Sequence, residues 1–334
     1  MPKKILIIRF SSIGDIVLAS PVFRCIKKQI DDVEIHFLTK QSYKIITAAN
    51  PYIDKFFYYD DNMNELLMEL AKEKYDYVID LHNNFRSSKI KKKLKAETYT
   101  IDKLTLEKFL LTNLNIDVMP NRHITQRSLD AVLSLGVVDD GGGLDYFIAE
   151  KDEVKPDDIP TGHLAGFIAI VIGATHFTKR FPTHKIIELC TQIDHPIILV
   201  GGKEDVENGT EIANTNALKI YNACGKFNIS ESADIVRKAK LVISNDTGMQ
   251  YIACALKRPV LALWGGTTPD LDVEPYYGKN FMSNIQKPIY ENVCLKLSCQ
   301  PCSKYGLKAC PKEHFDCMEK IDVGELILKV RGFL

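Results

Sequence analysis

Five short stretches of this chain group residue types that can handle protons, phosphates or sugar hydroxyls. The first is Arg9-Phe10-Ser11-Ser12-Ile13-Gly14-Asp15. Its single glycine does not make the three-glycine dinucleotide fingerprint, which argues against a nicotinamide-binding first half. What stands there is a carboxylate at the start of a helix. On the plain reading Asp15 or Ser12 caps that helix. The helix field keeps Asp15 ionised and weakens it as a base, so a general-base role requires an acceptor held close. The second stretch runs from Gly173 to Pro182, where the hydroxyls of Thr175 and Thr178 with Lys179 and Arg180 suit phosphate oxygens. An exposed polar loop is the alternative. The third, Ser244-Asn-Asp-Thr-Gly-Met-Gln-Tyr251, leads from a strand into a helix. There the N–H groups of Thr247 and Gly248 make an anion site, and Asp246 reads as the N-cap. The fourth, Gly201 to Asp205, offers Glu204 or Asp205 to ribose hydroxyls. The fifth, Asp80-Leu-His-Asn-Asn-Phe-Arg-Ser87, opens a run from Arg86 to Lys95 with six basic and no acidic residues. That run is either a solvated helix face or a patch for an anionic acceptor or an acidic membrane surface.

Nine cysteines add a sixth feature. Cys25, Cys190, Cys224 and Cys254 lie among apolar residues and read as small buried hydrophobes. The other five fall between Cys294 and Cys317. The pattern Cys299-x2-Cys302-x7-Cys310-x6-Cys317, with Cys294 and His314 nearby, offers zinc-ligand types but one tight pair only. Free thiols or an occasional disulfide are the alternatives.

Chemistry of this kind needs scaffolding, and the composition supplies it. Apolar residues make up 46% of the 334, enough for a sizeable core. Lys plus Arg and Asp plus Glu each number 43, so the net charge is zero. That balance argues against a protein that coats nucleic acid and against an acidic disordered chain. No run approaches the roughly 20 apolar residues of a spanning helix. The apolar stretch after the N-terminal lysines is cut by Arg9, too short for a signal peptide. A cytoplasmic protein is expected, one able to work at the inner face of the cytoplasmic membrane.

Short β-branched runs alternate with helix-period stretches, which implies βαβ units and parallel sheets. In the first half, strands are expected at Ile5 to Phe10, Val33 to Leu38, Lys55 to Tyr59, Tyr77 to Leu81 and Glu97 to Ile101. Helices are expected at Ile16 to Ile30 and Glu65 to Glu73. After the turn-rich stretch Asp139 to Gly143 and the charged Glu150 to Pro160, the alternation restarts. Strands then fit Phe167 to Ile172, Pro196 to Val200, Leu218 to Tyr221, Leu241 to Ser244 and Pro259 to Leu263. An amphipathic helix is read from Glu319 to Val330. The expected division is 1–157, 158–318 and a C-terminal helix over 319–334. Two doubly wound α/β domains of this kind are expected to face a shared cleft with the C-terminal ends of their strands.

Taken in order, these motifs resemble glycosyltransferase family 9, the heptosyltransferases of lipopolysaccharide core synthesis. The resemblance rests on Phe10-Ser-Ser-Ile-Gly-Asp15, Asp80 to Ser87, Gly173-Ala-Thr with Lys179-Arg-Phe-Pro182, Ser244 to Gly248, and Pro259-Val-Leu-Ala-Leu-Trp-Gly265. It implies the GT-B fold of two Rossmann-like domains. It implies an inverting, metal-independent transfer from a nucleotide-diphosphate sugar, often ADP-heptose, to a lipopolysaccharide core or related anionic glycan, with no further cofactor. By motif match Asp15 would be the general base. Ser12, Gly14, His82 and Arg86 would meet the acceptor. Thr175 and Lys179 would hold the diphosphate, Glu204 or Asp205 the ribose, and Asp246, Thr247, Gly248 and Tyr251 would line the donor site. Two departures stand out. Tyr251 replaces a histidine common in the family, and the Lys179 loop is spaced so that Thr178 competes with Thr175.

Two rival readings stand beside this one. A nucleotide-sugar epimerase on the same fold needs no separate acceptor. A zinc-dependent nucleic-acid or partner-binding protein built on the cysteines and the basic run leaves Asp15, Lys179 and Asp246 unexplained.

Overall fold

The computed structural model describes residues 2–334. The chain divides into two compact units. The first comprises Met1–Lys103, Arg122–Phe147 and Gly278–Phe281; the second comprises Leu104–Asn121, Ile148–Tyr277 and Met282–Leu334.

The first unit is built on five parallel strands, β1 (Lys3–Ile8), β2 (Val33–Lys40), β3 (Lys55–Tyr59), β4 (Tyr77–Asp80) and β5 (Glu97–Thr100), in the order β3-β2-β1-β4-β5. Strand β1 is central, and Ile5, Leu6, Ile7 and Ile8 are fully buried. A strand covered on both faces needs an unbroken apolar run rather than alternation, and that is what this sequence supplies. Leu6, Ile8, Phe10, Leu38, Phe57, Leu70, Val78 and Ile90 pack into one core cluster.

The segment expected as one helix from Ile16 to Ile30 is two, Ile13–Leu18 and Ser20–Gln29. Pro21 is the cause: it has no N–H to give and its ring clashes with the preceding turn, so it sits at the start of a new helix. The first helix also begins three residues early, which places Asp15 inside its first turn.

The second unit carries six parallel strands, β6 (Ile168–Val171), β7 (Ile197–Val200), β8 (Ile220–Asn222), β9 (Leu241–Asn245), β10 (Val260–Leu263) and β11 (Tyr290–Val293), in the order β11-β10-β9-β6-β7-β8. The sequence gives no warning of β11, whose four residues include Glu291 and Asn292 and carry no apolar run. The C-terminal helix spans Val323–Phe333, started by Asp322, whose carboxylate accepts the Glu325 N–H at 3.0 Å. The expected start at Glu319 belongs instead to a separate turn of helix, Asp316–Glu319. The Thr105–Leu114 and Ile124–Asp130 helices are further elements the sequence reading omits. Among the described residues no helix is long and apolar enough to cross a membrane.

In each sheet the chain reverses its direction of growth once, between β1 and β4 and between β6 and β9. Parallel sheets open a crevice beyond the C-terminal strand ends at such a point.

Candidate functional site

At the first crevice, the loop after β1 meets the loop after β4. Ser12 is the N-cap of the Ile13–Leu18 helix and Asp15 its third residue. One Asp15 oxygen accepts the Ser12 backbone N–H at 2.9 Å and its hydroxyl at 2.8 Å. The other lies 2.6 Å from the Arg9 guanidinium. Burial disfavours the charged carboxylate, yet Arg9 and the two Ser12 hydrogen bonds outweigh it and hold Asp15 below the usual carboxylate range. Its side chain keeps 36% of its surface open. So the capping question resolves as a shared arrangement: Ser12 holds the N-cap position, and its N–H and hydroxyl both donate to Asp15. Gly14 is buried in the same turn.

Arg9 stands in the first motif, yet sequence reasoning gives it no role at the site. Besides Asp15 it donates to the carbonyls of Ser11 and Leu81, bridging the ends of β1 and β4. Its position at the end of the first strand, six residues before an acidic helix start, is the signal available. His82 follows β4. Its backbone N–H is fixed by Asp80 at 3.0 Å, while its ring Nδ1 is buried without a partner. Burial, with Arg9 and Lys103 nearby, pushes the imidazole down to about 4, so it is neutral at pH 7. A ladder of rings runs from it: His82 against Phe10 at 5.2 Å, Phe10 against Tyr59 at 5.6 Å, and the exposed Arg86 guanidinium over Tyr59 at 5.6 Å. Asp15, Ser12, Gly14, His82 and Arg86 thus gather at one end of one sheet.

Arg86 also opens the Phe85–Leu94 helix, whose capping box joins Asn84 and Ser87. Lys91 turns inward to the fully buried Asp80 at 2.8 Å. Arg86, Lys89, Lys92 and Lys93 stay exposed, and Phe85 beside them is 86% exposed.

At the second crevice, the loops after β6, β7, β9 and β10 converge. Asn245, at the end of β9, donates to the carbonyls of Val171 and Ile172 and accepts the Phe181 N–H, clamping both ends of the Gly173–Pro182 loop. Within that loop Lys179 reaches Asp246 at 2.6 Å. Asp246 is not the N-cap expected of it. Thr247 holds that position, and the Asp246 carboxylate instead takes Lys179 and the Thr267 hydroxyl, the latter at 2.8 Å. Thr267, on the loop after β10, is a second residue the sequence reading misses. Tyr251 lies buried one turn into the Gly248–Ala255 helix. Its hydroxyl bonds the Val273 carbonyl at 2.7 Å and approaches Asp246 at 3.5 Å. Two polar groups at this helix start have no partner: the buried Thr247 hydroxyl and both amide atoms of the fully buried Gln250.

The two threonines separate. Thr175 is exposed. Thr178 is buried, and its hydroxyl accepts the Leu307 N–H at 2.8 Å, so it is committed to the protein's own packing. The acidic pair separates likewise. Glu204 is exposed, whereas Asp205 is 2% exposed beneath the loop, accepting the Gly202 N–H at 2.9 Å and facing Arg180 at 3.7 Å. A Cβ on Gly173 would stand 2.2 Å from the Asp205 carboxylate, so only glycine lets the loop rest on it. Burial raises the Asp205 carboxyl, opposed by the Gly202 bond and Arg180.

A family model described as glycosyltransferase family 9 (heptosyltransferase) matches residues 63–309. The chain belongs to glycosyltransferase family 9 and is a glycosyltransferase, which favours transfer over the epimerase and nucleic-acid readings. Asp15 precedes the matched span. Among curated relatives, the lipopolysaccharide heptosyltransferase 1 of Campylobacter coli is 27% identical, covering 86% of this chain and 89% of its own. The lipooligosaccharide heptosyltransferase 2 of Haemophilus influenzae is 24% identical over 79% and 84%. The crystal structure of a family 9 glycosyl transferase from Veillonella parvula superposes with a TM-score of 0.78 at 21% identity, covering 99% and 97%. The E. coli heptosyltransferase WaaC with ADP-2-deoxy-2-fluoro heptose gives 0.70 at 18%, over 98% and 99%. These two likenesses establish the fold.

Proposed function

We propose that this chain transfers a heptose from ADP-heptose to a hydroxyl of a lipopolysaccharide core acceptor, with inversion at the anomeric carbon. The observation that carries the reading is the Lys179–Asp246 pair, set at the start of the Gly248–Ala255 helix in the β6/β9 crevice. A lysine held beside a helix N-terminus, with an unpartnered hydroxyl at Thr247, is suited to a diphosphate. The names of the curated relatives point to heptose and lipopolysaccharide.

In this reading Asp15 takes the proton of the acceptor hydroxyl as that oxygen attacks the anomeric carbon. The bond from that carbon to the diphosphate oxygen breaks, and ADP leaves. Lys179 and the N–H groups at Thr247 and Gly248 meet the charge that develops on the leaving group. Thr175 adds an exposed hydroxyl to the diphosphate side. Glu204 accepts from the ribose. Thr178 and Asp205 support the same loop from beneath, and Tyr251 braces Asp246. On the acceptor side, Ser12 and Gly14 hold Asp15 in place. Neutral His82, its Nδ1 enclosed, lines the acceptor side, and the exposed Arg86 faces acidic groups. The exposed cations after Arg86 suit the anionic surface in which a glycolipid acceptor sits, which supports a working position at the inner face of the cytoplasmic membrane. No further cofactor enters the scheme.

The donor half is tested by thermal shift with ADP-heptose, GDP-mannose and UDP-glucose. ADP-heptose should raise the melting temperature in the wild type and much less in Lys179→Met, which keeps most of the side-chain volume but loses a charge-assisted contact, each shift being read against the same protein without sugar. Equal shifts with all three sugars, or an unchanged shift in the variant, contradict the donor assignment.

A further inference from the structure

We propose that Cys299, Cys302, Cys310 and Cys317 form a four-thiolate site for one soft divalent cation such as Zn2+, a structural site that fastens the loop bearing Lys179. Three observations converge on it. All four cysteines, drawn from one short C-terminal segment, line a single small cavity together with Thr178, Gly265, Gly266, Lys312 and His314. None of them is in a disulfide. His314 stands with Nε2 3.9 Å from the Cys299 sulfur while its Nδ1 accepts the Asp316 N–H at 2.9 Å. With Nδ1 an acceptor, Nε2 carries the proton and aims it at the sulfur.

No three of the four sulfurs lie within 4.8 Å of one another. A bound zinc, with Zn–S of about 2.3 Å, would hold them about 3.8 Å apart. The segment that carries them is made mostly of turns and bends, so closing that gap disrupts no regular helix or strand. Four thiolates around one divalent cation carry two net negative charges, of which Lys312 at the cavity edge offsets one. The group that already meets the 4.8 Å spacing, Cys25 with Asp139 and Asp140, is a poorer candidate. Asp140 there is already held by Arg24 at 2.8 Å and Lys28 at 3.7 Å.

The cavity backs directly onto the donor loop. The Thr178 N–H and hydroxyl exchange hydrogen bonds with Leu307, and the Thr178 carbonyl accepts the Gly266 N–H at 2.7 Å. The Cys302 and Ser303 N–H groups both reach the Gly266 carbonyl. Gly306, with φ of +94°, packs against His176 and Lys179, where a Cβ would come within 2.8 Å of the former. A cation tying the four sulfurs would hold this stack in one arrangement.

The test is metal analysis of the full-length chain purified without chelator, followed by Co2+ titration of the metal-free protein. One Zn2+ per chain is expected in the wild type. In Cys302→Ser and Cys317→Ser that content should be lost. Cys294→Ser should keep it, because the Cys294 sulfur instead approaches the Thr268 hydroxyl at 3.9 Å. Co2+ should give thiolate charge-transfer and tetrahedral bands that saturate at one equivalent, and this arm needs no variant to fold. A wild-type chain that carries no metal and takes up neither Zn2+ nor Co2+, or one whose metal survives both serine substitutions, overturns the proposal. Metal content is read without any sugar, so the result is separate from the donor assignment.

Discussion

Asp15 is a weak base by its own electrostatics, and that fixes what its pH behaviour should be. Burial raises its carboxyl while Arg9 and Ser12 lower it further, so it stays ionised through neutral pH. As a general base it should work down to mildly acid pH and fail only as the carboxylate is protonated. Asp15→Asn should cut kcat by about 10²- to 10⁴-fold with little change in donor KM. In Arg9→Met the cation is gone and burial remains, so the acid limb of the kcat/KM profile should move to higher pH; an unmoved limb assigns it to another group. His82 behaves in the opposite sense for stability. The unfolded imidazole titrates near 6.5 and the folded one at about 4. Between those values the unfolded chain binds a proton that the folded chain refuses, so stability falls as pH drops through the window. His82→Leu should flatten the decline in melting temperature between pH 6.5 and 4; a decline as steep as wild type would show that His82 does not cause it.

At the scale of elements, the donor loop depends on a close approach that a methyl group would block. Gly173→Ala puts a Cβ against a carboxylate anchored by Gly202, and overpacking of this kind costs about 1–3 kcal/mol. Adding Asp205→Ala should restore part of the loss in a double-mutant cycle, since the clash is with that side chain; strictly additive losses would place the strain elsewhere. The basic helix carries its own prediction. Charge reversal at Lys89, Lys92 and Lys93 leaves the buried Lys91–Asp80 pair intact, so sedimentation with anionic vesicles should fall while the melting temperature holds. Binding that is unchanged, or lost equally with neutral vesicles, argues against a charged docking face. These elements differ in how far the sequence announces them. Buried strands such as β1 and β9 are legible because two-sided cover demands continuous β-branched runs. The break at Pro21 is written in the residue, yet the apolar period on either side hides it. Strand β11 is invisible because its pairing with β10 supplies what its own composition does not.

At the scale of the whole molecule, zero net charge conceals two specialised sheet ends. The motifs around Asp15 and around Asp246 are legible in the spacing alone, because each follows a strand and opens a helix. What spacing cannot show is which member of a neighbouring pair is committed to packing. Thr178 and Asp205 look as available as Thr175 and Glu204 until the Leu307 N–H and the Gly173 backbone are seen pressing on them. The roles of Arg9 and Thr267 escape notice for the converse reason: Arg9 reaches the Leu81 carbonyl, and Thr267 the Asp246 carboxylate, across loops from different strands. A donor bound at about 100 times its Kd should add about 2.7 kcal/mol of stability to the chain. The most direct measurement of the central claim is turnover: ADP-heptose is incubated with a heptose-free lipopolysaccharide core, and glycolipid mass and ADP are followed together. The expected result is one heptose added to the acceptor for each ADP released, with Asp15→Asn giving neither. An altered nucleotide sugar formed without acceptor, or ADP released with no gain in acceptor mass, would contradict it.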